Sequence, residues 1–283
     1  MSYLCPSSLD EALSILGRGS WRVVCGATDC YAPADTVPGR FDWLDISRIA
    51  SLSGIRVDGG DLVIGAATTW KEIARCHELP GMLRDAARQV GSTQIQQVAT
   101  VGGNLCNAAP AADGVPPLMA LDAVVELSSQ AGTRSVPVPE FIVGRRLTTL
   151  RHDELLTSIR FRRATHFETT AFHKFGNRQG MTIAVVSLAM RLTWTPDATV
   201  RAARVVVGSA SEVPVRARML EDALTGRHAS ELEAACSQGM IAEIQPISDL
   251  RASAEFRAHL ARIVAQRACT QLAKELDDVR DLG

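Results

Sequence analysis

Gly102-Gly103-Asn104 opens the stretch 99–122 and constrains this chain more than any other feature. Adjacent glycines let a backbone come within contact distance of a ligand, and they permit positive φ. Peptide N–H groups left unpaired in such a turn point at phosphate oxygens. Asn104, Asn107 and Asp113 add short polar arms suited to hydroxyl groups. The stretch reads either as a nucleotide-holding loop or as an ordinary Gly-rich turn before a short buried helix. In the second reading Asp113 caps the helix that begins at Pro116-Pro117.

The 283 residues are enough for two domains, and 46% hydrophobic content supports a full-sized core. A net charge of −1 gives no general attraction to nucleic acid or to an anionic membrane. No apolar run reaches the roughly 20 residues of a membrane span. The first residues lack a basic region followed by an apolar one, so no signal peptide and a cytoplasmic location are expected. The seven cysteines are Cys5, Cys25, Cys30, Cys76, Cys106, Cys236 and Cys269, and no two have C-x2-C spacing. That pattern fits free thiols in a reducing compartment and points to no metal site on this chain.

Two stretches, Ser8 to Glu11 and Thr69 to Glu72, have the form of capping boxes that start helices. Trp21–Cys25 reads as a short strand opening into Gly26-Ala27-Thr28-Asp29, a second place for N–H groups and a hydroxyl to meet a phosphate. Pro33 and Pro38 interrupt any helix after it, which disfavours a Rossmann unit. Phe41–Ile46 is a strand, and residues 55–64 form a hairpin around Asp58-Gly59-Gly60. A helix around Leu83–Val90 stops at Gly91. Further strands lie near 124–128, 134–136 and 155–161. Beyond residue 167 come three long strands, 167–175, 183–194 and 200–208. Helices follow over 214–224, 230–244 and 254–276. Short strands mixed irregularly with short helices define an α+β chain. The expected domains are 1–165, with lobes 1–53 and 54–165, and 166–283.

Several spaced motifs resemble the FAD-binding medium subunit of molybdenum hydroxylases, the xanthine dehydrogenase and aerobic carbon monoxide dehydrogenase family. Cys25 to Asp29 matches that family's A-G-G-T-D loop, and Thr100 to Asn104 matches T-[IV]-G-G-N without change. Ala108–Ala123 follows the A-x-P-A-A-D pattern, and Asp153–Phe161 carries DELLTSIRF. Lys174 and Arg178 stand in a K-x-x-x-R loop before Ile183-Ala184. Val213–Gly226 and Asp249–Arg257 complete the set.

The resemblance implies a two-lobed FAD-binding domain of the vanillyl-alcohol-oxidase-like type and a C-terminal α+β domain built on a three-stranded antiparallel sheet. It implies noncovalent FAD, with the pyrophosphate between two loops: Val23, Val24, Cys25, Gly26, Ala27, Thr28, Asp29 and Cys30, and Thr100, Val101, Gly102, Gly103 and Asn104. It places Asp113, Leu156, Lys174 and Val90 in contact with FAD, and Asn107 near the ring. Lys174 reads otherwise as a solvated strand residue. Electrons would come from a [2Fe-2S] small subunit fed by a molybdopterin large subunit, in a heterotrimer or a dimer of heterotrimers. They would leave to an external acceptor, with no nucleic acid involved.

Three positions depart from the pattern. Ala27 replaces a glycine, so φ there is expected to be negative. Gln96-Gln97 stands where an arginine is usual, and Met181-Thr182 where an aspartate is usual. Two other readings are a self-sufficient flavin oxidase or reductase and a scaffold with a decayed flavin site. The first would need its own acid–base pair, and the only tyrosines are Tyr3 and Tyr31.

Overall fold

The computed structural model describes residues 2–30, 41–178, 182–239 and 241–281, and side chains as far as residue 276. Tyr31, Pro33, Pro38 and Met181 lie outside the described residues. The chain divides into two compact units. One comprises Met1–Cys76, Val90–Ala109 and Asp122–Arg163; the other comprises His77–Gln89, Pro110–Leu121 and Ala164–Gly283.

The first unit contains two main sheets. A small parallel sheet has Trp43–Asp45 between Tyr3–Leu4 and Arg22–Val24. Helix Leu9–Leu16 buries Ala12, Leu13 and Leu16 in a core shared with Leu44, Ile49 and Leu52. Ser8 caps it by accepting from Glu11 N–H. The return arm of that expected capping box goes one residue further out, from Ser7 N–H to Glu11 Oε2 at 3.1 Å. At Thr69 both arms of the box form, and helix Trp70–Arg75 follows.

The larger sheet is antiparallel, in the order Ile55–Asp58, Asp61–Gly65, Leu155–Arg162, Val124–Ser129, Gly132–Pro137. Gly59 and Gly60 take φ of +60° and +99° in the expected hairpin turn, which suits residues without Cβ. Ile159 stands opposite both Ile64 and Val125, and all three are fully buried. Burying a side chain of that size stabilises by about 1.5–3 kcal/mol.

The second unit carries the three long strands in antiparallel order: Glu168–Gly176, Ala184–Trp194 and Val200–Gly208. A two-residue strand, Val215–Arg216, extends the sheet at Val206 and Val207. The helix expected from residue 214 therefore begins only at Arg218. The β-branched Val215 and the Ala217 N–H bond to Val205 O, at 2.8 Å, draw this segment onto the sheet. The helix expected over 230–244 is also shorter, running Leu232–Gln238. It stops at Gly239, where a Cβ would lie 2.5 Å from Leu220 Cδ1. The chain beyond is tied down by bonds from Gln245 N–H to Ser211 Oγ and from Ile247 N–H to Ala210 O.

The long helix Ala254–Asp281 packs Leu260, Val264, Ala268 and Leu272 into a core with Leu188, Met190 and Leu192. Helix Gly81–Gln89 joins this unit through Met82 N–H, which donates to Thr170 Oγ1 at 3.1 Å.

Buried charge is concentrated in this unit. Arg257, 1% exposed, donates to Val185 O, to Ser209 O and to Asp249 Oδ1. Glu221, 5% exposed, takes three short bonds from the Arg216 guanidinium and one of 2.9 Å from Val205 N–H. Removing a carboxylate with that many charged and backbone donors leaves a buried N–H without a partner. Glu221→Ala is therefore expected to lower unfolding stability by about 2–3 kcal/mol, measured by urea titration. Arg216→Ala should lose at least as much, because it leaves the buried Glu221 carboxylate without its counter-charge, whereas Glu221→Ala leaves a guanidinium that water reaches. A clearly smaller loss in Arg216→Ala would show that the ion pair adds little beyond the bond from Val205 N–H.

Candidate cofactor site

Two segments of the first unit are pressed together by glycine. Strand Arg22–Val24 runs into the turn 25–30, where a Cβ on Gly26 would lie 2.0 Å from Val98 O and 3.0 Å from Ala99 Cα. No other residue fits. Ala99 leads directly into Thr100, which caps helix Val101–Asn107 and accepts from Gly103 N–H at 3.1 Å. Gly102 is as confined: its Cβ would lie 2.7 Å from both the Cβ and the O of Ala66, and its N–H donates to that same O.

The glycine pair is thus helical, and neither member has positive φ. Its N–H groups are also engaged. Val101 donates to Thr68 O, Gly102 to Ala66 O, Gly103 to Thr100 Oγ1 and Asn104 to Thr100 O. The expectation of unpaired donors here is corrected: the Thr100 cap and the neighbouring backbone use them. This segment offers instead an open face at Gly103, whose Cβ would meet only Thr100 Oγ1, at 3.0 Å. It also offers Asn104 Oδ1, which is buried and has no partner.

The free donors are in the other segment. Among the described residues, the N–H groups of Gly26, Ala27, Thr28 and Asp29 make no hydrogen bond, while Cys30 N–H closes the turn onto Ala27 O at 3.2 Å. Ala27 has φ +55°. The expected negative φ is therefore also corrected: the exposed methyl meets no obstacle, and the left-handed backbone carries strain of about 1–2 kcal/mol. A left-handed residue within a run of free N–H groups forms an anion-binding concavity.

A cavity of about 310 Å³ is lined by residues 23–30 together with Val90, Thr100, Gly103, Asn104 and Asn107. A second, of about 340 Å³, shares Cys25, Thr100 and Gly103 with the first and adds Gly102 and Leu156. Volumes of this size are those of ligand pockets. Val101 is fully buried and lies on the wall of neither. Burial, and after it the Asp45 carboxylate, push the Cys25 thiol up to about 11, and burial raises Cys30 as well. Both therefore face the cavity as unreactive protonated thiols at neutral pH.

Sequence reasoning missed Trp70, Ile95 and Cys106 on the first wall. Cys106 stands one helical turn after Gly103, so a helix starting at Thr100 places it on the same face. It also missed Arg146, whose Nη1 donates to Asn107 Oδ1 at 2.8 Å and which no local motif marks.

Asp113 and Lys174 belong to the second unit and form an ion pair of 2.6 Å, with Lys174 Nζ also donating to Gln89 O at 2.9 Å. Their side chains are 9% and 3% exposed, which removes the solvated reading of Lys174. The capping reading of Asp113 fails too, since Gly114 holds the cap position of helix Val115–Ala120 without any side-chain bond. Asp113 Oδ1 is buried and has no partner.

Two adjoining cavities share walls made by a glycine-pinned turn and a Thr-capped Gly-Gly helix, and the second unit carries an antiparallel sheet backed by helices. Residues 1–162 match the family model described as the FAD binding domain in molybdopterin dehydrogenase, and residues 170–272 match the CO dehydrogenase flavoprotein C-terminal domain. The chain belongs to this family of FAD-binding subunits of molybdopterin-dependent dehydrogenases. It is 30% identical over 282 residues to the xanthine dehydrogenase FAD-binding subunit of Escherichia coli O157:H7, covering 95% of each chain. It is 28% identical to the carbon monoxide dehydrogenase medium chain of Hydrogenophaga pseudoflava, covering 94% of each. Among solved structures, carbon monoxide dehydrogenase from Hydrogenophaga pseudoflava superposes with a TM-score of 0.88 at 26% identity over 97% of both chains. Quinoline 2-oxidoreductase from Pseudomonas putida 86 gives 0.86 at 25% identity, covering 97% of both.

Burial raises the Asp113 carboxyl from 3.8 to about 6, although the Lys174 ammonium pulls it down. The folded chain then holds that proton more tightly than the unfolded chain. This contribution to stability is complete below pH 3.8 and is lost as the pH rises through 6. The unfolding free energy of the wild type minus that of Asp113→Asn should therefore fall between those two limits. A difference that stays flat with pH would show that the carboxyl is ionised throughout.

Proposed function

We propose that this chain is the FAD-binding electron-transfer subunit of a multi-subunit molybdenum hydroxylase. In this reading it takes electrons from a [2Fe-2S] partner and passes them to an external acceptor. The observation that carries the reading is the double cavity, with four free N–H groups on one wall and the bare Gly103 on the other. Bound FAD would supply the redox chemistry, accepting and releasing electrons singly or in pairs.

The chain's own residues account for binding. The N–H groups of Gly26 to Asp29 suit the pyrophosphate, Gly103 leaves room for its approach, and Asn104 Oδ1 offers an acceptor to a cofactor hydroxyl. No histidine stands among residues 23–30 or 100–104, so attachment is proposed to be noncovalent. The molybdopterin and the iron–sulfur group are assigned to a large and a small partner subunit. Cys25, Cys30 and Cys106 line the first cavity and Cys236 and Cys269 sit in the second core, and among the described residues no three His, Cys, Asp or Glu side chains are grouped to hold a metal. Such an arrangement does not bring together the four thiolates a cluster takes.

Gly103→Val should discriminate cofactor binding from folding. The added side chain enters the cavities and crowds only the Thr100 cap, at about 1 kcal/mol of stability. FAD content should fall roughly tenfold or more, equivalent to about 1.4 kcal/mol or more of binding free energy. A full complement of FAD in the folded variant would refute the assignment of this wall.

The electron-transfer role is tested by anaerobic mixing with the organic substrate while flavin absorbance is followed. Reduction is expected in the complex reconstituted with both partners, and not in the isolated subunit. Reduction of the lone subunit by substrate would favour the self-sufficient oxidase. A colourless purified complex would favour the scaffold with a decayed site.

A further inference from the structure

Two left-handed residues meet at the end of the Val101–Asn107 helix. Ala108, which ends the helix, has φ +44°, and Arg146 has φ +55°. Arg146 sits third in the four-residue turn Gly144–Leu147 that joins strands Ile142–Gly144 and Leu147–Thr148. Glycine or asparagine suits that position, since a side chain there strains the backbone. Strain of this kind persists where the surroundings hold it in place, and an observed outlier is a reason to look for function.

Two hydrogen bonds hold this one. Arg146 N–H donates to Ala108 O at 2.9 Å, and Arg146 Nη1 donates to Asn107 Oδ1 at 2.8 Å. An arginine has donors only, so the Asn107 oxygen must face the guanidinium. The amide's own donors, on Nδ2, are then left over. Asn107 lines the cavity of about 310 Å³, and among the described residues its Nδ2 has no partner.

We propose that Arg146 is a positioning residue: it fixes the Asn107 amide so that its NH2 group is presented as a hydrogen-bond donor to an acceptor atom of bound FAD. The inference rests on the reading of this cavity as the FAD site. A free asparagine can present either end of its amide to a ligand, whereas one pinned at its oxygen presents only a donor. The arginine backbone in the turn bears the strain because glycine there would leave the amide free to flip.

The test is a double-variant cycle on the full chain, reading FAD affinity by titration and melting temperature without FAD. Arg146→Gly should bind FAD about tenfold more weakly. Its melting temperature should not fall, because glycine relieves the turn. Asn107→Ala should show the same loss, and the double variant should lose no more than either single change. Arg146→Lys, which keeps one donor, should recover part of the affinity. Bound FAD should show the same displacement of its visible absorption in Arg146→Gly as in Asn107→Ala. Wild-type affinity in Arg146→Gly, additive losses, or no recovery with lysine would each overturn the proposal while leaving the FAD site standing. A wild-type chain that takes up no FAD would overturn the reading of the site and this inference with it.

Discussion

Backbone-to-backbone contact at Gly26 and Gly102 is the constraint on which the rest of the first unit depends. Each glycine occupies a place where a Cβ would overlap a neighbouring main chain, at Val98 in one case and Ala66 in the other. Contact this close sets the distance between the turn 25–30 and the helix beginning at Thr100. The bond from Trp70 N–H to Ala99 O and the bridge between Thr69 and Thr100 fix the same helix start from a third side. The Thr69–Glu72 capping box, a local feature, therefore has a remote consequence. It ends the sheet-to-helix connection at the point where the cavity wall begins.

The two units manage charge in different ways. Around the cavities the first unit presents backbone groups, amides and thiols held neutral by burial, together with the half-buried Arg22 and the exposed Asp29 and Arg151, whose charges stay in reach of water. Its one buried carboxylate there, Glu154, is neutralised by a bidentate bond from Arg134 and by Arg151 N–H. The second unit instead buries Arg257, Glu221 and the Asp113–Lys174 pair inside an apolar core. Desolvating such groups costs several kcal/mol each, and attraction between partners restores much of it only when geometry is good. The raised carboxyl of Asp113 shows the balance falling short at that pair. Its free Oδ1 is where the shortfall lies, since a second donor there would hold the charged form down.

Much of the fold was legible because its signals are local. Thr69 to Glu72, Asp58-Gly59-Gly60 and the three long strands each announce themselves within a few residues, and each appears where expected. The family motifs pointed to residues 23–30 and to Thr100, Gly103 and Asn104, which line one cavity. What stayed hidden depends on contacts distant in sequence. Thr100 looked like part of a loop because its capping partner is a backbone N–H, which leaves no mark on composition. The segments 77–89 and 110–121 fall in the second unit, yet nothing in their residues distinguishes them from their neighbours. Arg146 is 39 residues from Asn107 and stands in a turn where an arginine is unexpected.

The left-handed residues show how the site trades strain for order. Six described non-glycine residues have positive φ, and three of them, Ala27, Ala108 and Arg146, line the first cavity or adjoin Asn107 on its wall. Each could be glycine at lower backbone energy in the folded state. The gain from a side chain differs among them. Arg146 gains a guanidinium, and Ala108 buries a methyl that is 3% exposed. Ala27 gains no packing, because its methyl is exposed. What it gains is restriction: alanine has fewer unfolded conformations to lose than glycine, worth about 0.4–1 kcal/mol. That partly offsets the left-handed strain and leaves a stiffer turn. A stiff turn suits a run of four free N–H groups, because donors already aimed at an anion lose less entropy when it arrives.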